Sequence, residues 1–355
     1  MANYVPETIW VTDSEEIQKM MILWPNIVRD ITESIDLNIP DVTMWVKKLL
    51  QYNVPNGKKV RSLALIYAYK SLASDDQLTE DNLRLVRILA WCIELLQAVI
   101  FILDDIQDQS LFRRGQPCWY QCDGVGLAAI SDGFILEQAL FYIIRKHFNK
   151  KECYIDLLET FHDTFYIGTI GQCTDMCSSN LGKKLNVHLF TLDRYNYMAE
   201  CKSAYTFILP VTAAMHLVGI KDPEMFRQTK QILLDMGRLY QVQDDYLGCY
   251  KDSEVFGRDN TDIQEGKCTW LVVTALDRAT TEQRKILREC YGFSDPEKVK
   301  RVKQLFTDMN LPNIYLTYQE QAYNLLITRI QQISCGLPHS LLLFLLEAIH
   351  NRNKS

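Results

Sequence analysis

The sequence predicts an all-α protein, and two observations carry that prediction. Glycine and proline are sparse, at 15 and 10 of 355 residues. Apolar residues recur at helical spacing along most of the chain, most clearly over residues 83–103, 134–147, 225–250 and 341–350. We therefore expect one domain, residues 1–355, in which many helices pack as a bundle around a central cavity.

Short turns separate the predicted helices. Clusters of glycine, proline and asparagine or serine mark them at residues 53–57, 114–117, 293–296 and 335–338. No pair of segments has the alternation and turn residues of a β-hairpin, and no repeat or long linker interrupts the helical pattern. Each turn is therefore expected to connect one helix to the next.

Composition excludes several classes of function. The chain has 38 basic and 44 acidic residues and a formal charge of -6, whereas nucleic-acid binding requires a clustered basic surface. No apolar run reaches the roughly 20 residues that span a bilayer. The first 20 residues carry four acidic residues and no arginine, so they resemble neither a secretory signal nor a transit peptide. We expect no nucleic-acid partner and no membrane span.

Cysteine usage indicates a reducing compartment. The 11 cysteines are too dilute in a chain of this length to form a disulfide scaffold. The pairs Cys118/Cys122 and Cys173/Cys177 have no histidine or second CxxC that would complete a zinc site. These thiols are expected to be buried or idle, and the protein to be cytoplasmic.

The most informative polar segment follows the apolar residues 93–103. Asp104, Asp105 and Asp108 lie one and four positions apart, so a helix brings two or three of these carboxylates to one face. Such crowding costs free energy unless a cation occupies the space between the carboxylates. Magnesium suits the position, because it takes one or two carboxylates and completes its shell with water and substrate phosphate.

Two arginines follow this acidic segment directly. Arg113 and Arg114 suit an oligophosphate, because guanidinium groups bind phosphate oxygens in bidentate fashion. Gln97 lies two helical turns before Asp104 and on the same face. Together these residues predict a magnesium-dependent site for a diphosphate.

A second acidic segment lies 140 residues further along the chain. Asp244 and Asp245 are adjacent there, and Asp252 shares a helical face with Asp244 because eight residues separate them. Gly248 lies between and supplies no ligand. We expect Asp244 to bind metal together with either Asp245 or Asp252, so that two acidic helices and magnesium form a diphosphate-binding cavity.

The two acidic segments resemble the aspartate-rich motifs of farnesyl diphosphate synthases, in the trans-isoprenyl diphosphate synthase family. They read Asp104-Asp105-x-x-Asp108 with Arg113-Arg114-Gly115-Gln116-Pro117, and Gln241-x-Gln243-Asp244-Asp245-Tyr246-Leu247. The resemblance implies an all-α isoprenoid synthase fold, an isoprenyl diphosphate substrate, three magnesium ions and a homodimer.

The resemblance also implies roles for individual residues. Those expected to bind substrate are Lys58, Arg61, Gln97, Arg113, Arg114, Gln172, Asp175, Lys202, Ser203, Gln241, Arg258 and Lys267. Those expected to act in catalysis are Asp104, Asp105, Asp108, Arg113, Lys202, Asp244 and Lys267. Val99 and Ile100 stand where animal farnesyl diphosphate synthases carry two bulky aromatic residues, and they are expected to face the hydrocarbon tail.

Several positions depart from the synthase pattern. The loop that resembles the isopentenyl diphosphate site has Val60 and Ser62 in place of an asparagine and a glycine. Gly248 replaces the last aspartate of the second motif, and Arg258 replaces a lysine. These changes indicate a damaged acceptor site beside an intact ionisation site.

Three functions follow from this pattern, in order of preference. The first is a sesquiterpene synthase that ionises farnesyl diphosphate to a C15 hydrocarbon or alcohol, as in insect terpene synthases that resemble farnesyl diphosphate synthases. The second is a prenyltransferase that condenses isopentenyl diphosphate with an allylic diphosphate, which retention of Lys58, Arg61 and Arg114 supports. The third is a catalytically silent partner subunit, which retention of the aspartates disfavours.

Overall fold

A computed structural model describes residues 13–33, 39–179, 187–251, 261–334 and 336–352. It confirms the all-α prediction, because helices account for nearly all regular structure in these ranges. The α-helices are α1 Ser14–Glu33, α2 Pro40–Asn53, α3 Val60–Leu72, α4 Glu80–Gln107, α5 Ala128–Phe148, α6 Tyr154–Ser178, α7 Leu192–Ser203, α8 Leu209–Leu217, α9 Pro223–Tyr250, α10 Asp262–Glu265, α11 Trp270–Arg278, α12 Thr281–Cys290, α13 Pro296–Asp308, α14 Leu311–Gln331 and α15 His339–Asn351. Short 3-10 helices span Trp119–Gln121 and Val187–Leu189, and a π-helix spans Ala204–Ile208.

The chain divides into two compact units. Unit 1 comprises Met1–Tyr166, Tyr205–Gln231 and Ile333–Ala348, and unit 2 comprises Ile167–Ala204, Ile232–Gln332 and Ile349–Ser355. The four helical stretches predicted from periodicity coincide with α4, α5, α9 and α15. The organisation as a single domain over residues 1–355 stays a prediction.

Helix α4 is the centre of unit 1. It packs against α1, α3, α5 and α8, and residues 86–99 are all buried, because this stretch is apolar on almost every side. The helix begins after Thr79, whose side chain accepts a hydrogen bond from the backbone N–H of Asn82. By length and composition α4 could cross a membrane, but 83% of its most apolar stretch is buried within the protein.

Unit 2 has its own apolar core. Helix α11 packs against α7 and α14, while α13 contacts α10, α12 and α14. Large side chains such as Trp270, Tyr291, Phe306 and Tyr315 fill the space between these helices and are almost fully buried. A capping box begins α12, in which Thr280 and Gln283 bond each other's backbone N–H groups.

One short hairpin contradicts the expectation that the chain has none. Phe112–Arg113 pairs antiparallel with Gln116–Pro117. Arg114 and Gly115 both have positive φ, of 56° and 75°, as a two-residue hairpin turn of the I′ kind requires. Strands of two residues are too short to show alternation, so no sequence pattern could reveal them.

Candidate active site

The first acidic segment lies at the C-terminal end of α4. The helix ends at Gln107, and Asp108 caps it. Backbone carbonyls give a helix C-terminus a partial negative charge, which disfavours carboxylates there. Asp104, Asp105 and Asp108 therefore require nearby positive charge.

Arg113 supplies part of that charge from the hairpin. Its Nε donates to Oδ1 of Asp105 at 2.9 Å, and its Nη2 donates to Oδ2 of Asp104, also at 2.9 Å. Burial raises the pKa of Asp105, and Arg113 opposes that rise. The guanidinium carbon lies 4.4 Å from the centre of the Phe101 ring, which fixes its orientation by a cation–π contact.

Arg114 lies near both Arg113 and Arg61, and its guanidinium shares the Phe101 ring with that of Arg113. Arg114 is half-buried; burial lowers its pKa most, Glu94 raises the pKa, and the charges of Arg61 and Arg113 lower it further. It donates to the backbone carbonyl of Asn56. The Arg114 guanidinium packs over Gly57, whose φ of 109° favours glycine. Grouped cations of this kind form an anion site.

The first turn of α3 brings Arg61 into this cluster. Arg61 donates from Nε to Oγ1 of Thr206 at 3.1 Å, and its guanidinium lies 4.4 Å from the centre of the Tyr205 ring. Lys58, in the loop that precedes α3, is exposed. The predicted acceptor-site cations therefore lie on two segments: Lys58 and Arg61 lie before and at the start of α3, and Arg114 lies in the hairpin turn. The hydrogen bond from Arg114 to the carbonyl of Asn56 joins the two segments.

Sequence reasoning missed the network that holds this loop. The ammonium group of Lys59 is buried and donates to Glu94 on α4 at 3.1 Å. Ser62 donates to the other oxygen of Glu94 at 2.6 Å. Lys59 also adopts a positive φ of 55° at the start of α3. A charged residue in the apolar stretch of α4 was the available signal, because a buried glutamate requires a partner.

The other residues of α4 with a predicted role are Gln97, Val99 and Ile100, which differ in their burial. Gln97 and Val99 are buried, and Ile100 is half-buried. Their roles in substrate binding and in chain length stay predictions.

Asp104 and Asp108 fit a magnesium site by the chemistry of their donors. Within the described ranges, no three histidine, cysteine, aspartate or glutamate side chains could hold a metal ion by themselves. Magnesium does not need such a set, because one or two carboxylates suffice when water and phosphate supply the other ligands. Asp104 and Asp108 are one turn apart and half-buried, and they meet that requirement.

In unit 2, Asp175 contacts two lysines that were predicted to bind substrate. It is buried on α6 and accepts hydrogen bonds at Oδ2 from Lys202 and, at 3.3 Å, from Lys267. Lys267 also lies 3.7 Å from Glu265. Its backbone carbonyl accepts a 2.7 Å bond from the buried Tyr291 hydroxyl, which anchors this residue. Two lysine ammonium groups thus converge beside Asp175, with Glu265 as a second carboxylate near Lys267.

Asp244 pairs with the end of the chain. The guanidinium of Arg352 donates to Oδ1 of Asp244, and it lies 4.1 Å from the centre of the Tyr240 ring. The sequence offered only a weak signal for this contact, because the last residues form a short basic tail. The Asp244 side chain stays 17% exposed, so its carboxylate remains partly accessible.

Asp245 differs from Asp244, because it is buried and both its oxygens accept hydrogen bonds. Gln241 donates to Oδ1 at 2.9 Å, and the backbone N–H of Trp270 donates to Oδ2 at 2.8 Å. Burial raises the pKa of Asp245 to about 7. These contacts tie α9 to α11, and they occupy both Asp245 and Gln241, for which we expected metal and substrate roles.

The other predicted residues of unit 2 are placed as follows. Gln172 is half-buried on α6. Ser203 is buried and donates to the backbone carbonyl of Glu200 at 3.0 Å. Asp252 and Arg258 lie outside the described residues. A void of about 10 Å³ adjoins Gly248, Asp262 and Lys303, which is room for about one water molecule.

The helical fold and its clusters define a class of protein: an all-α enzyme with cationic and acidic sites suited to a diphosphate. The polyprenyl synthetase family profile matches residues 43–309. The chain therefore belongs to the polyprenyl synthetase family.

Similar proteins agree with this assignment. The chain is 46% identical over 350 residues to a farnesyl pyrophosphate synthase from Murgantia histrionica, covering 98% of this chain and 84% of that protein. It is 45% identical to the farnesyl pyrophosphate synthase of Nezara viridula, with 98% and 85% covered. Among solved structures, T. brucei farnesyl diphosphate synthase complexed with risedronate matches with a TM-score of 0.86 at 28% identity, over 96% of this chain and 99% of that one.

Proposed function

We propose that the chain is a prenyltransferase of the farnesyl diphosphate synthase type. It would join isopentenyl diphosphate to an allylic diphosphate and release diphosphate. This places the prenyltransferase, our second expectation from the sequence, ahead of the sesquiterpene synthase. The similarity to farnesyl pyrophosphate synthases over nearly the whole chain supports that order.

The arginine cluster of unit 1 is the observation that carries the proposal. Ionisation of one allylic diphosphate requires cations beside the acidic helix end, a role that Arg113 fills. Arg61 and Arg114 add two further guanidinium groups, and Lys58 in the loop before α3 adds an exposed ammonium group. This surplus of positive charge supports a second diphosphate, that of the acceptor.

In the proposed reaction, the allylic C–O bond breaks and its electron pair leaves with the diphosphate. Lys202 and Lys267 would stabilise the charge on that leaving group, because both already converge on Asp175. The allylic carbon then bonds to the terminal alkene carbon of isopentenyl diphosphate. The proton lost from the acceptor passes to the released diphosphate, so no histidine base is required.

Magnesium fits this scheme through Asp104, Asp108 and Asp244. Bound there, the metal would neutralise diphosphate oxygens and favour their departure. Arg113 and Arg352 now neutralise two of these carboxylates, and each would exchange that contact for the diphosphate. A total of three ions and a contribution from Asp252 remain part of the proposal.

One observation keeps a sesquiterpene synthase as the second candidate. Val60 cannot donate a hydrogen bond to an acceptor diphosphate, and Ser62 is buried against Glu94. Such an enzyme would release diphosphate from farnesyl diphosphate without any acceptor.

Product analysis by gas chromatography–mass spectrometry tests the proposal. One reaction contains purified protein, magnesium and farnesyl diphosphate, and the other contains geranyl and isopentenyl diphosphates. The proposal predicts farnesyl diphosphate, detected as farnesol after phosphatase treatment, in the second reaction. A C15 hydrocarbon or alcohol from the first reaction, formed without phosphatase, would favour the sesquiterpene synthase.

A homodimer is also proposed, in agreement with the resemblance. Large apolar side chains on α5 and α6 of unit 1 are exposed, including Ile130, Phe134, Ile155 and Tyr166. Exposed large apolar side chains on neighbouring helical segments support such an interface. The cytoplasmic location stays a prediction.

A further inference from the structure

Lys202 lies between two residues that each pack against a glycine. A Cβ at Gly171, on α6, would lie 2.6 Å from Cβ of Cys201 and 3.2 Å from the backbone nitrogen of Lys202. A Cβ at Gly237, on α9, would lie 2.1 Å from Oγ and 2.4 Å from Cβ of Ser203. Only glycine permits approaches this close.

Neither contact can relax by rotation of a side chain. The Gly171 contact involves a Cβ atom and backbone, and the Gly237 contact involves a Cβ atom as well as a hydroxyl. Ordinary contact begins near 3.4 Å, so an added methyl group must push the end of α7 away by about 1 Å at Ser203. Cys201 and Ser203 are both buried, so the displacement must move the backbone between them.

The backbone between them carries Lys202. Its ammonium group is held by Asp175, which lies one helical turn after Gly171 on α6. The same helix thus supplies the glycine that supports α7 and the carboxylate that aims the lysine. Only 24% of the Lys202 side chain is exposed, so it has limited freedom to compensate for a moved backbone.

We infer that Gly171 and Gly237 are positioning residues, which seat the end of α7 so that Lys202 meets the departing diphosphate. The inference rests on the role proposed above for Lys202. The glycines act through Lys202 and do not themselves contact substrate.

The primary test compares Gly171→Ala and Gly237→Ala with Gly168→Ala. Gly168 lies on the same helix as Gly171, and no atom lies within 4 Å of its added Cβ. Displacements near 1 Å cost up to about 100-fold in rate, so kcat/KM should fall roughly 10- to 100-fold in the first two variants. Gly168→Ala should keep the wild-type value. An equal loss in Gly168→Ala would overturn the inference.

Rescue separates positioning from general damage. In the Gly237→Ala background, Ser203→Gly removes both overlapping atoms, whereas Ser203→Ala leaves Cβ in place. Gly237→Ala should cause no loss of kcat/KM when it is added to the Ser203→Gly variant. It should still lower kcat/KM when it is added to the Ser203→Ala variant. The rescue by Ser203→Gly can be measured even if Gly237→Ala alone does not fold, because this double variant removes the overlap. Equal behaviour of the two backgrounds would contradict the inference.

A Lys202→Ala background shows whether the glycines act through the lysine. There, Gly171→Ala should cause no further loss of kcat/KM, because the group it misplaces is absent. The same fold-loss as in the wild-type background would overturn the inference. Wild-type kcat/KM in Lys202→Ala itself would instead refute the role proposed for Lys202, so the two failures are distinguishable.

Discussion

The same dipeptide, Asp-Asp, occurs at the candidate site of each unit, and the two copies share one pattern. Asp104 and Asp244 are partly exposed, and each pairs with an arginine. Asp105 and Asp245 are buried. Because adjacent helical residues point about 100° apart, a pair of aspartates gives one carboxylate to a surface and one to the interior.

The two buried carboxylates differ in their partners. Asp105 contacts the Arg113 guanidinium, whereas Asp245 contacts neutral groups, the Gln241 amide and the Trp270 backbone N–H. Burial raises the pKa of Asp245 to about 7. In unit 1 the buried aspartate is part of the charged cluster. In unit 2 the buried aspartate connects two helices by hydrogen bonds. The same Asp-Asp motif therefore has different roles in the two units, and the surrounding residues determine which role it has.

The largest expected effect is on the exposed members of the two pairs. Asp104→Ala and Asp244→Ala should each reduce kcat at least about 100-fold, because each removes a proposed magnesium ligand. Release of diphosphate, measured by a coupled assay, checks this. Asp123→Ala, a change at an exposed aspartate outside both clusters, should leave kcat unaltered. Full turnover in Asp104→Ala would remove the metal assignment.

The arginine partners should differ in their effect on stability. Arg113→Ala removes the guanidinium that is hydrogen-bonded to the buried Asp105 and should lower the free energy of unfolding by about 3 kcal/mol. Arg352→Ala leaves the more exposed Asp244 and should cost about 1 kcal/mol or less. Urea unfolding followed by circular dichroism measures both. Equal losses would mean that the two pairs are not different in kind.

Substitution of Asp245 should lower the free energy of unfolding more than substitution of Asp244 does. Asp245→Ala leaves the Trp270 N–H and the Gln241 amide without an acceptor, which costs about 1–3 kcal/mol. Asp245→Asn keeps one acceptor oxygen and should lose less. Thermal unfolding of both variants beside Asp244→Ala checks the order. A fully stable Asp245→Ala would refute the structural role.

The smallest expected effect concerns the acceptor loop. Val60→Asn would add a donor beside the arginine cluster, and a hydrogen bond to a charged group is worth roughly 1.5–3 kcal/mol. The KM for isopentenyl diphosphate should fall by about 10-fold, while the KM for the allylic substrate stays constant. Val60→Ala, which adds no donor, is the matched control. If KM does not change, Val60 does not face the acceptor.

The sequence revealed much of the fold, because α4, α5, α9 and α15 have strong periodicity and clear ends. It also located the first acidic cluster, since carboxylates at the end of a strongly apolar helix require a cationic partner. It could not separate Asp244 from Asp245, because their difference depends on Trp270, which lies 25 residues away. The hairpin turn and the close packing of α7 against Gly171 and Gly237 depend on backbone geometry, which the spacing of residues in the sequence does not reveal.

The similar proteins favour the two enzymatic functions in the opposite order from the one that the sequence pattern favoured. Val60, Ser62 and Gly248 were weighed as losses from a synthase, whereas similarity over 350 residues to farnesyl pyrophosphate synthases favours prenyl transfer. Three substitutions in the helices α3 and α9 indicate altered contacts. They do not measure how much of the acceptor site the remaining cations still form.

Incorporation of isotopically labelled isopentenyl diphosphate tests the central claim most directly. With geranyl diphosphate and magnesium, the wild-type protein should form labelled farnesyl diphosphate, and Arg61→Gln should lose most of that label. Absence of label from the wild-type product, with diphosphate released from farnesyl diphosphate alone, would contradict the proposed prenyl transfer.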